Sequence, residues 1–305
     1  MLNIRRALEN DRLLRALTGL NRKAFDELCD VFGAVYQDQE RLERASKPRK
    51  RARGGGRKAR LQNMEAKLFF ILFYFKAYPT FDILGLLFDL ERGRSNRWVH
   101  RLQGILETAL GKKMVLPERK IGSIEQFLER FPEVKEVIVD GTERPVQRPQ
   151  DKDKRKEHYS GKKKRFTRKH ITGSTRKKRI IVLTKARPGK LHDKRQLDEE
   201  NLVENIPDEV AVEGDLGFQG LQNEFVNIHL PHKKPKGKEL SEQQKQENKE
   251  FSRQRVVCEH AHAGMKRYNA VSAIYRNRVP DFDDRLMLTA AGLWNFYLEV
   301  ALDAA

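Results

Sequence analysis

Apolar residues near the N-terminus recur at three- and four-residue spacing, which is the spacing of one face of a helix. The pattern runs through residues 3–36 and is interrupted at Thr18, Gly19 and Asn21. It predicts two short amphipathic helices with Thr18 or Asn21 as caps, because hydroxyl and amide side chains satisfy the free N–H groups of a first turn. These helices define a predicted N-terminal region, residues 1–40.

Three more helical patterns follow between residues 63 and 110, with Asn63, Thr80 and Ser95 as their predicted N-caps. A glycine-containing turn at residues 91–94 precedes the third pattern. A short helix, a turn and a basic helix are typical of a helix-turn-helix, here residues 61–116, although an ordinary three-helix bundle has the same pattern. The third helix would be the recognition helix, and the residues predicted to contact DNA are Asn96, Arg97, His100 and Arg101.

Beyond residue 117 the apolar runs become short and rich in valine and isoleucine, which favours strands. One predicted strand, residues 134–139, ends at Asp140. Two more are centred on residues 166–171 and 180–183 with a turn at 173–175, and a short strand at 210–214 leads to Asp215. Glycines directly after each acid let the backbone turn away and leave the carboxylate uncovered.

Two helices complete the predicted elements. Residues 241–268 form a long helix that carries Glu259, with Arg255 one turn before it and Lys266 seven residues after it. A surface ladder of ion pairs is the ordinary interpretation of such a stripe. The alternative is that Lys266 and Arg255 bind DNA, with Lys266 as a phosphate contact. The last helix, residues 282–302, is apolar enough to pack against the sheet.

Charge indicates the class of partner. The chain has 62 Lys+Arg against 43 Asp+Glu, a net charge of +19, which attracts polyanions and favours double-stranded DNA. The most apolar run, residues 68–75, is too short to span a bilayer, so no membrane partner is predicted. Without a secretory signal, and with two unpaired cysteines, the protein is expected in the cytoplasm, associated with the nucleoid.

Two stretches are strongly basic. Residues 41–60 have the composition of a linker or a DNA-binding arm, and residues 148–179 that of a solvated loop or a backbone-binding surface. DNA contacts are favoured for both. The residues expected to bind phosphates are Arg49, Arg51, Arg53, Lys163, Lys164 and Arg165.

Three acids stand out as candidate metal ligands. If the strands of Asp140 and Asp215 are neighbours and the helix of Glu259 packs beside them, the three carboxylates converge and need a cation between them. Oxygen ligands favour Mg²⁺, with Mn²⁺ possible. Zinc bound by Cys258, His260 and His262 is disfavoured because the three fall on different faces of the helix, and Cys258 is better interpreted as a buried apolar residue.

These same residues carry a family resemblance. The segments Val139-Asp140-Gly141-Thr142 and Gly214-Asp215-Leu216-Gly217-Phe218, and the stretch from Arg255 through Glu259 to Lys266, resemble the DDE triad of insertion-sequence transposases, in particular bacterial relatives of the PIF/Harbinger superfamily. The chain departs from related families at Ser252, where they have a tyrosine. Asp193, beside His192, is a rival or accessory acid, and His192 contacts DNA or shapes its loop.

The resemblance implies an α/β (α+β) fold in which an RNase H-like mixed-sheet catalytic domain, residues 117–305, follows an all-α helix-turn-helix region. It implies a transposase that binds the terminal inverted repeats of its element as a homodimer or higher oligomer. Such an enzyme cuts phosphodiester bonds with divalent metal and transfers the 3′-hydroxyl strand to target DNA. A non-catalytic sequence-specific DNA-binding protein, or a decayed transposase, is the alternative.

Overall fold

The computed structural model describes residues 2–46 and 59–301, the last of these without its side chain. The predicted arm residues Arg49, Arg51 and Arg53 lie outside the described part. The chain forms two compact units. A helical unit comprises Met1–Leu116, Arg267–Ala273 and Arg285–Ala305, and a sheet unit comprises Pro117–Lys266 and Ile274–Asp284.

The helical unit begins with three helices where two were predicted: α1 (Ile4–Leu8), α2 (Asp11–Thr18) and α3 (Arg22–Ser46). Asn21 caps α3 by accepting a hydrogen bond from the Ala24 amide at 3.0 Å. The helix continues six residues into the segment predicted as linker or arm. Its final turns are exposed and carry ion pairs at helical spacing, such as Arg44 with Glu40, which stabilise a helix without a buried face.

The next helices are α4 (Met64–Ala77), α5 (Phe81–Phe88) and α6 (Arg92–Lys112). Asn63 and Thr80 cap α4 and α5, as predicted. The prediction that Ser95 caps α6 was wrong. The helix begins at Arg92, three residues before Ser95, and Ser95 is buried inside it.

A close approach between α5 and α6 explains the position of Ser95. A Cβ atom on Gly85 would collide with the Leu90 carbonyl oxygen and lie 3.4 Å from the Ser95 hydroxyl. The chain turns through Asp89 in the left-handed conformation, with φ 53°. Glycine at position 85 therefore permits the tight turn, and the small Ser95 packs at the crossing instead of starting the helix.

The apolar run Leu68–Phe75 of α4 forms the centre of the helical unit, and every side chain in it is buried. The last helix, α12 (Phe282–Ala301), belongs to this unit from Arg285 onward. Gln103 of α6 donates to Thr289, and Asn295 donates to the Val115 carbonyl at 2.8 Å. The first turn of α12 contacts the sheet, as predicted, because Arg144 of the first long strand donates to the Asp283 carbonyl and Arg168 pairs with the Asp283 carboxylate. Among the described residues, no helix has the length and apolarity to cross a membrane.

The sheet unit contains five principal strands: β1 (Glu136–Pro145), β3 (Arg165–Ser174), β4 (Ile180–Leu183), β6 (Ala211–Glu213) and β7 (Ile228–His229). Strands β1, β3 and β4 are antiparallel neighbours, whereas β6 and β7 continue the sheet parallel to β1. The order β4-β3-β1-β6-β7 is the mixed sheet of an RNase H-like fold, which confirms the predicted fold class. Two short strands, β2 (Tyr159–Ser160) and β5 (Arg187–Pro188), pair with β3.

Strand β1 is longer than predicted and places Asp140 at its middle, opposite Thr172 of β3. The strand continues to Pro145 because β3 pairs with it over that whole length, and the turn predicted at residues 173–175 comes only after Ser174. The parallel partner β6 pairs with residues 136–138 alone. Asp140 therefore lies just past the point where β6 leaves β1.

Four helices of the sheet unit complete the fold: α7 (Ile124–Arg130), α8 (Lys152–His158), α9 (Asp193–Glu199) and α10 (Glu242–Lys266). The bounds of α10 confirm the long helix predicted from the sequence, and α10 contacts β1. Short α11 (Asn269–Ser272) belongs to the helical unit. The core on the sheet includes Phe127, Val137, Val139, Leu197, Val212 and Phe218.

Candidate active site

Asp140 is a half-buried carboxylate on β1. Its Oδ1 accepts a hydrogen bond from the Gly141 amide at 2.8 Å. Burial raises the pKa of Asp140, and the neighbouring Asp215 adds to that effect, whereas Arg255, the Gly141 amide and Lys162 oppose it. The group is thus an acid held near another acid, with cations close by.

Asp215 follows β6 and begins the 3-10 turn Leu216–Phe218, where its Oδ1 accepts from the Gly217 amide at 2.8 Å. Because β6 is the parallel neighbour of β1, the chain delivers Asp215 to the same region as Asp140. The negative charge of Asp215 contributes to the raised pKa of Asp140, after the larger effect of burial. The predicted meeting of these two acids is therefore present.

Asp193, the first residue of α9, is a third acid at this place. A Cβ atom on Gly141 would lie 3.0 Å from Asp193 Oδ1, and one on Gly217 would lie 3.3 Å from Asp193 Oδ2. The carboxylate accepts a 2.6 Å bond from the buried ammonium of Lys169, which also donates to the Leu191 carbonyl at 2.7 Å. Asp193 is thus fixed between the glycines that follow Asp140 and Asp215, while His192 is exposed.

Glu259 is exposed on α10, and its carboxylate has no hydrogen bond or ion pair with any residue that the structure describes. In particular it forms none with Arg255, so the ion-pair ladder suggested by the sequence is not formed. The structure does not bring Glu259 to the two aspartates. The face of α10 that meets β1 carries Arg255, Cys258 and His262, at the three- and four-residue spacing of one helix stripe.

Cys258 and His262 reach Asp140. Asp140 Oδ2 lies 3.8 Å from Cys258 Sγ and 3.6 Å from His262 Nδ1. Burial raises the pKa of Cys258 to about 12 and lowers that of His262 to about 3, the nearby Lys266 and Arg255 adding to the effect on the histidine. Cys258 is buried, as expected. Grouping it with exposed His260 in the sequence hid the fact that Cys258 and His262, four residues apart, share a face.

Arg255 is directed at the acids of the sheet. It opposes the rise in the pKa of both Asp140 and Glu213, which lie on or beside neighbouring strands. Its buried Nε has no hydrogen-bond partner among the described residues. Arg255 therefore acts electrostatically on Asp140 and Glu213, and it forms no ion pair with Glu259 among the described residues.

Cations from two elements surround the same acids. Burial and the nearby Lys163 lower the pKa of Lys266 at the end of α10, and Lys162 acts on Asp140. Lys162 and Lys163 belong to the loop between β2 and β3, followed by exposed Lys164 and Arg165. This basic hairpin and Lys266 place positive charge beside the carboxylates.

The residues predicted on the recognition helix have different environments. Arg97 is exposed on α6 and Asn96 is half-buried. Arg101 lies 3.6 Å from Glu40 and 3.5 Å from Glu43 of α3, with its guanidinium 4.9 Å from the ring of Tyr36. Burial and Arg285 lower the pKa of His100.

The first turn of α6 holds two exposed arginines that the sequence reasoning missed, Arg92 and Arg94. They were missed because the helix was expected to begin after Ser95. Each forms only exposed ion pairs, with Asp82 and Glu91 respectively, so both remain on the surface beside Arg97.

Comparison with known families identifies the class of the protein. Residues 139–295 match the DDE superfamily endonuclease family, and residues 59–112 match the helix-turn-helix of DDE superfamily endonucleases. The first match covers Asp140, Asp215 and Glu259, and the second covers α4, α5 and α6. The chain belongs to the DDE superfamily of endonucleases.

A relative narrows the class. The chain is 30% identical over 293 residues, 96% of either chain, to a Microchaete diplosiphon protein described as a probable transposase for insertion sequence element IS702. Together with the family matches, this makes the chain a DDE transposase of the bacterial insertion-sequence type. No solved structure matches it. The finer resemblance to the PIF/Harbinger superfamily stays a prediction.

Proposed function

We propose that this transposase binds the terminal inverted repeats of its own insertion sequence, cleaves phosphodiester bonds at those ends and joins the freed 3′-hydroxyl to target DNA. The observation that carries the proposal is the position of Asp140 on β1 and of Asp215 just after β6, the parallel neighbour of β1, inside the family-matched region. It acts on the nucleoid in the cytoplasm, as a homodimer or higher oligomer on DNA.

The donor set fits a hard divalent ion. Asp140 and Asp215 offer oxygen ligands only, and burial together with the charge of Asp215 raises the pKa of Asp140, an effect that a bound cation would oppose. These two acids hold Mg²⁺, or Mn²⁺ in its place. When bound, such ions activate an attacking water or 3′-hydroxyl and stabilise the leaving oxygen.

Glu259 and Asp193 are the two candidates for the third metal ligand, beside Asp140 and Asp215. Glu259 is next to Cys258 on α10 and exposed, so its side chain is free to move toward DNA and metal. Asp193 already lies beside both aspartates but is bound to Lys169. A carboxylate neutralised by a buried lysine is the poorer ligand, and Glu259 is therefore the proposed third ligand, with Asp193 as the acid that shapes the site.

Basic groups of the chain position the DNA. Lys266, Lys163, Lys164 and Arg165 contact phosphates beside the acids, and Arg255 opposes the rise in the pKa of Asp140. On the helical unit, Arg97 and Asn96 face the DNA end, with His100 behind them. Arg101 supports α6 through its ion pairs with α3, and Arg49, Arg51 and Arg53 add phosphate contacts.

A cleavage assay tests the assignment. The substrate is duplex DNA carrying the flanks of the coding frame, incubated with protein and Mg²⁺ or Mn²⁺. Asp140→Asn, Asp215→Asn and Glu259→Gln are each expected to reduce cleavage by at least about a hundredfold while binding is retained, because each removes a charged ligand. Asp193→Asn is expected to reduce it less.

Matched controls come from the same helices. Glu250→Gln on α10 and Asp198→Asn on α9 change exposed acids away from the site, and both variants should cut as the wild type does. Wild-type cleavage by Glu259→Gln would remove Glu259 from the set. If the wild type binds its DNA ends and cuts none of them with either metal, the non-catalytic alternative is correct.

A further inference from the structure

The contact between Asp140, Cys258 and His262 has the dimensions of a metal site of another kind. One ligand atom from each lies within 4.8 Å of the others, and among the described residues this is the trio with that property. The two distances to Asp140 Oδ2 are the ligand spacings of this trio, and the His262 ring also lies next to the thiol, with Nε2 3.9 Å from Cys258 Sγ. Tetrahedral zinc with bonds of about 2.3 Å to sulfur and about 2.0–2.1 Å to nitrogen and oxygen needs ligand atoms about 3.4–3.6 Å apart.

Hydrogen bonds fix which nitrogen of His262 is free to bind. The Thr172 hydroxyl donates its single proton to the Asp140 carbonyl oxygen at 3.1 Å. It must therefore accept at its other contact, the 2.7 Å approach to His262 Nε2, which makes Nε2 the protonated nitrogen. The lone pair of Nδ1 is then the group that faces Asp140 Oδ2 at 3.6 Å.

The lone pair of His262 Nδ1 thus faces the Asp140 carboxylate, whose Oδ2 also accepts a hydrogen bond from the Cys258 thiol at 3.8 Å. A metal-bound imidazole normally donates its other N–H to an oxygen acceptor that fixes the orientation of the ring, and the Thr172 hydroxyl is in that position here. Cys258 and His262 are buried, whereas 21% of the Asp140 side chain is exposed. The trio is therefore preassembled on the protein side and open on the side of Asp140, where an ion can enter.

Sulfur and nitrogen donors select a different ion from the one that carboxylates select. We propose that Asp140, Cys258 and His262 form a site for zinc or a similar thiophilic divalent ion, and that its occupation inhibits DNA cleavage. The inhibitory part rests on the proposed function, since it follows from Asp140 being shared by the two sets. Binding replaces the thiol hydrogen of Cys258, so one proton leaves for each ion bound.

The binding step is tested without DNA, by titrating the full chain with Co²⁺ as a coloured substitute for zinc. The wild type is expected to take up one equivalent with a thiolate-to-cobalt absorption band, which excess Zn²⁺ removes. Cys258→Ser should lose the band. Cys29→Ser, which changes the half-exposed cysteine of the helical unit, should keep it. His262→Gln should weaken uptake at least about tenfold.

A wild type without the band, or a Cys258→Ser variant that keeps it, would overturn the site. Circular dichroism shows whether each variant is folded, and if Cys258→Ser is not, Cys258→Ala and His262→Gln give the same comparison. Release of about one proton per ion, measured by calorimetry in two buffers of different ionisation enthalpy, is expected for the wild type and not for Cys258→Ser.

The inhibitory step uses the cleavage assay. Zinc should suppress Mg²⁺-dependent cutting by the wild type and Cys29→Ser, and the zinc concentration for half inhibition should be at least about tenfold higher in His262→Gln. Equal inhibition of all three would overturn this step. If the wild type binds Co²⁺ through Cys258 and cuts no DNA, the proposed function fails and the metal site stands; cleavage without Co²⁺ binding gives the reverse result.

Discussion

Lys169 is the buried cation that holds Asp193 between the two aspartate loops, with 9% of its side chain exposed. Lys169→Met leaves a largely buried carboxylate without its partner, and we expect the free energy of unfolding to fall by about 3 kcal/mol. Urea denaturation followed by circular dichroism measures this change. Lys194→Met on α9, the helix that begins at Asp193, breaks surface ion pairs with Asp198 and Glu224, and should change the free energy of unfolding by no more than about 1 kcal/mol.

His170 makes the stability of the sheet unit dependent on pH. Burial lowers its pKa, and the Thr184 carbonyl and Asp284 only partly oppose that effect. In the unfolded chain this histidine binds a proton below about pH 6.5, whereas the folded protein keeps it neutral. Acid therefore favours the unfolded state, and the free energy of unfolding should fall as the pH drops below about 6.5.

His170→Gln should reduce that loss, as measured by urea denaturation at pH 7 and pH 5. The exposed His260→Gln is the control and should leave the pH dependence as it is in the wild type. An unchanged loss of stability in His170→Gln would show that burial of His170 is not its cause.

The position of a residue in the fold was predicted from sequence where the course of the backbone alone determines it. Asp140 and Asp215 end short apolar runs, and strand pairing brings them together. On α10 the rotation of the helix about its axis decides which side chains face the sheet, and the sequence did not indicate that Cys258 and His262 contact Asp140. A rotation of about 100° separates Cys258 from Glu259, and the amphipathic pattern of this polar helix is too weak to choose between them.

At the scale of elements, the turn between α5 and α6 depends on one glycine. Gly85→Ala puts a methyl group against the Leu90 carbonyl oxygen, and we expect a loss of about 1–3 kcal/mol in stability together with weaker binding to the DNA ends. Thermal unfolding and a gel-shift assay measure the two effects.

Gly93→Ala in the first turn of α6 is the matched substitution, because a Cβ atom there has no described neighbour within 4 Å. Alanine is the better helix former, so this variant should be as stable as the wild type or more stable by up to about 1 kcal/mol. Equal effects of the two alanines would show that the close approach at Gly85 is not what limits the turn.

The start or end of an element was predicted correctly where nearby residues determine it. It was missed where contacts with residues distant in the sequence determine it. Asn63 and Thr80 have side chains that cap the first turns of α4 and α5, so the starts of these helices were predicted correctly. Ser95 has the same chemistry but lies at a helix crossing that only the tertiary structure reveals. Strand β1 likewise extends past Asp140 because β3 pairs with it, and no pattern within β1 itself indicates this.

At the scale of the whole molecule, a net charge of +19 predicts DNA binding that weakens steeply with salt. Arg97→Ala should reduce the slope of log affinity against log salt concentration by about 1, because the exposed guanidinium releases one counter-ion. Fluorescence anisotropy over a range of salt concentrations measures the slope. Arg101→Ala should lower thermal stability with less change in slope, since its cation is already paired with Glu40 and Glu43.

The helical unit is assembled from both ends of the chain, and this has a consequence for its synthesis on the ribosome. Tyr268 packs against Gly19 and Phe75, and Asn295 holds the end of α6 through the Val115 carbonyl. The strands that the structure describes lie between residues 136 and 229, so Asp140 and Asp215 emerge before the support of the helix-turn-helix is complete. A chain released early would therefore contain the two aspartates but lack a fully assembled helical unit with which to bind the DNA ends.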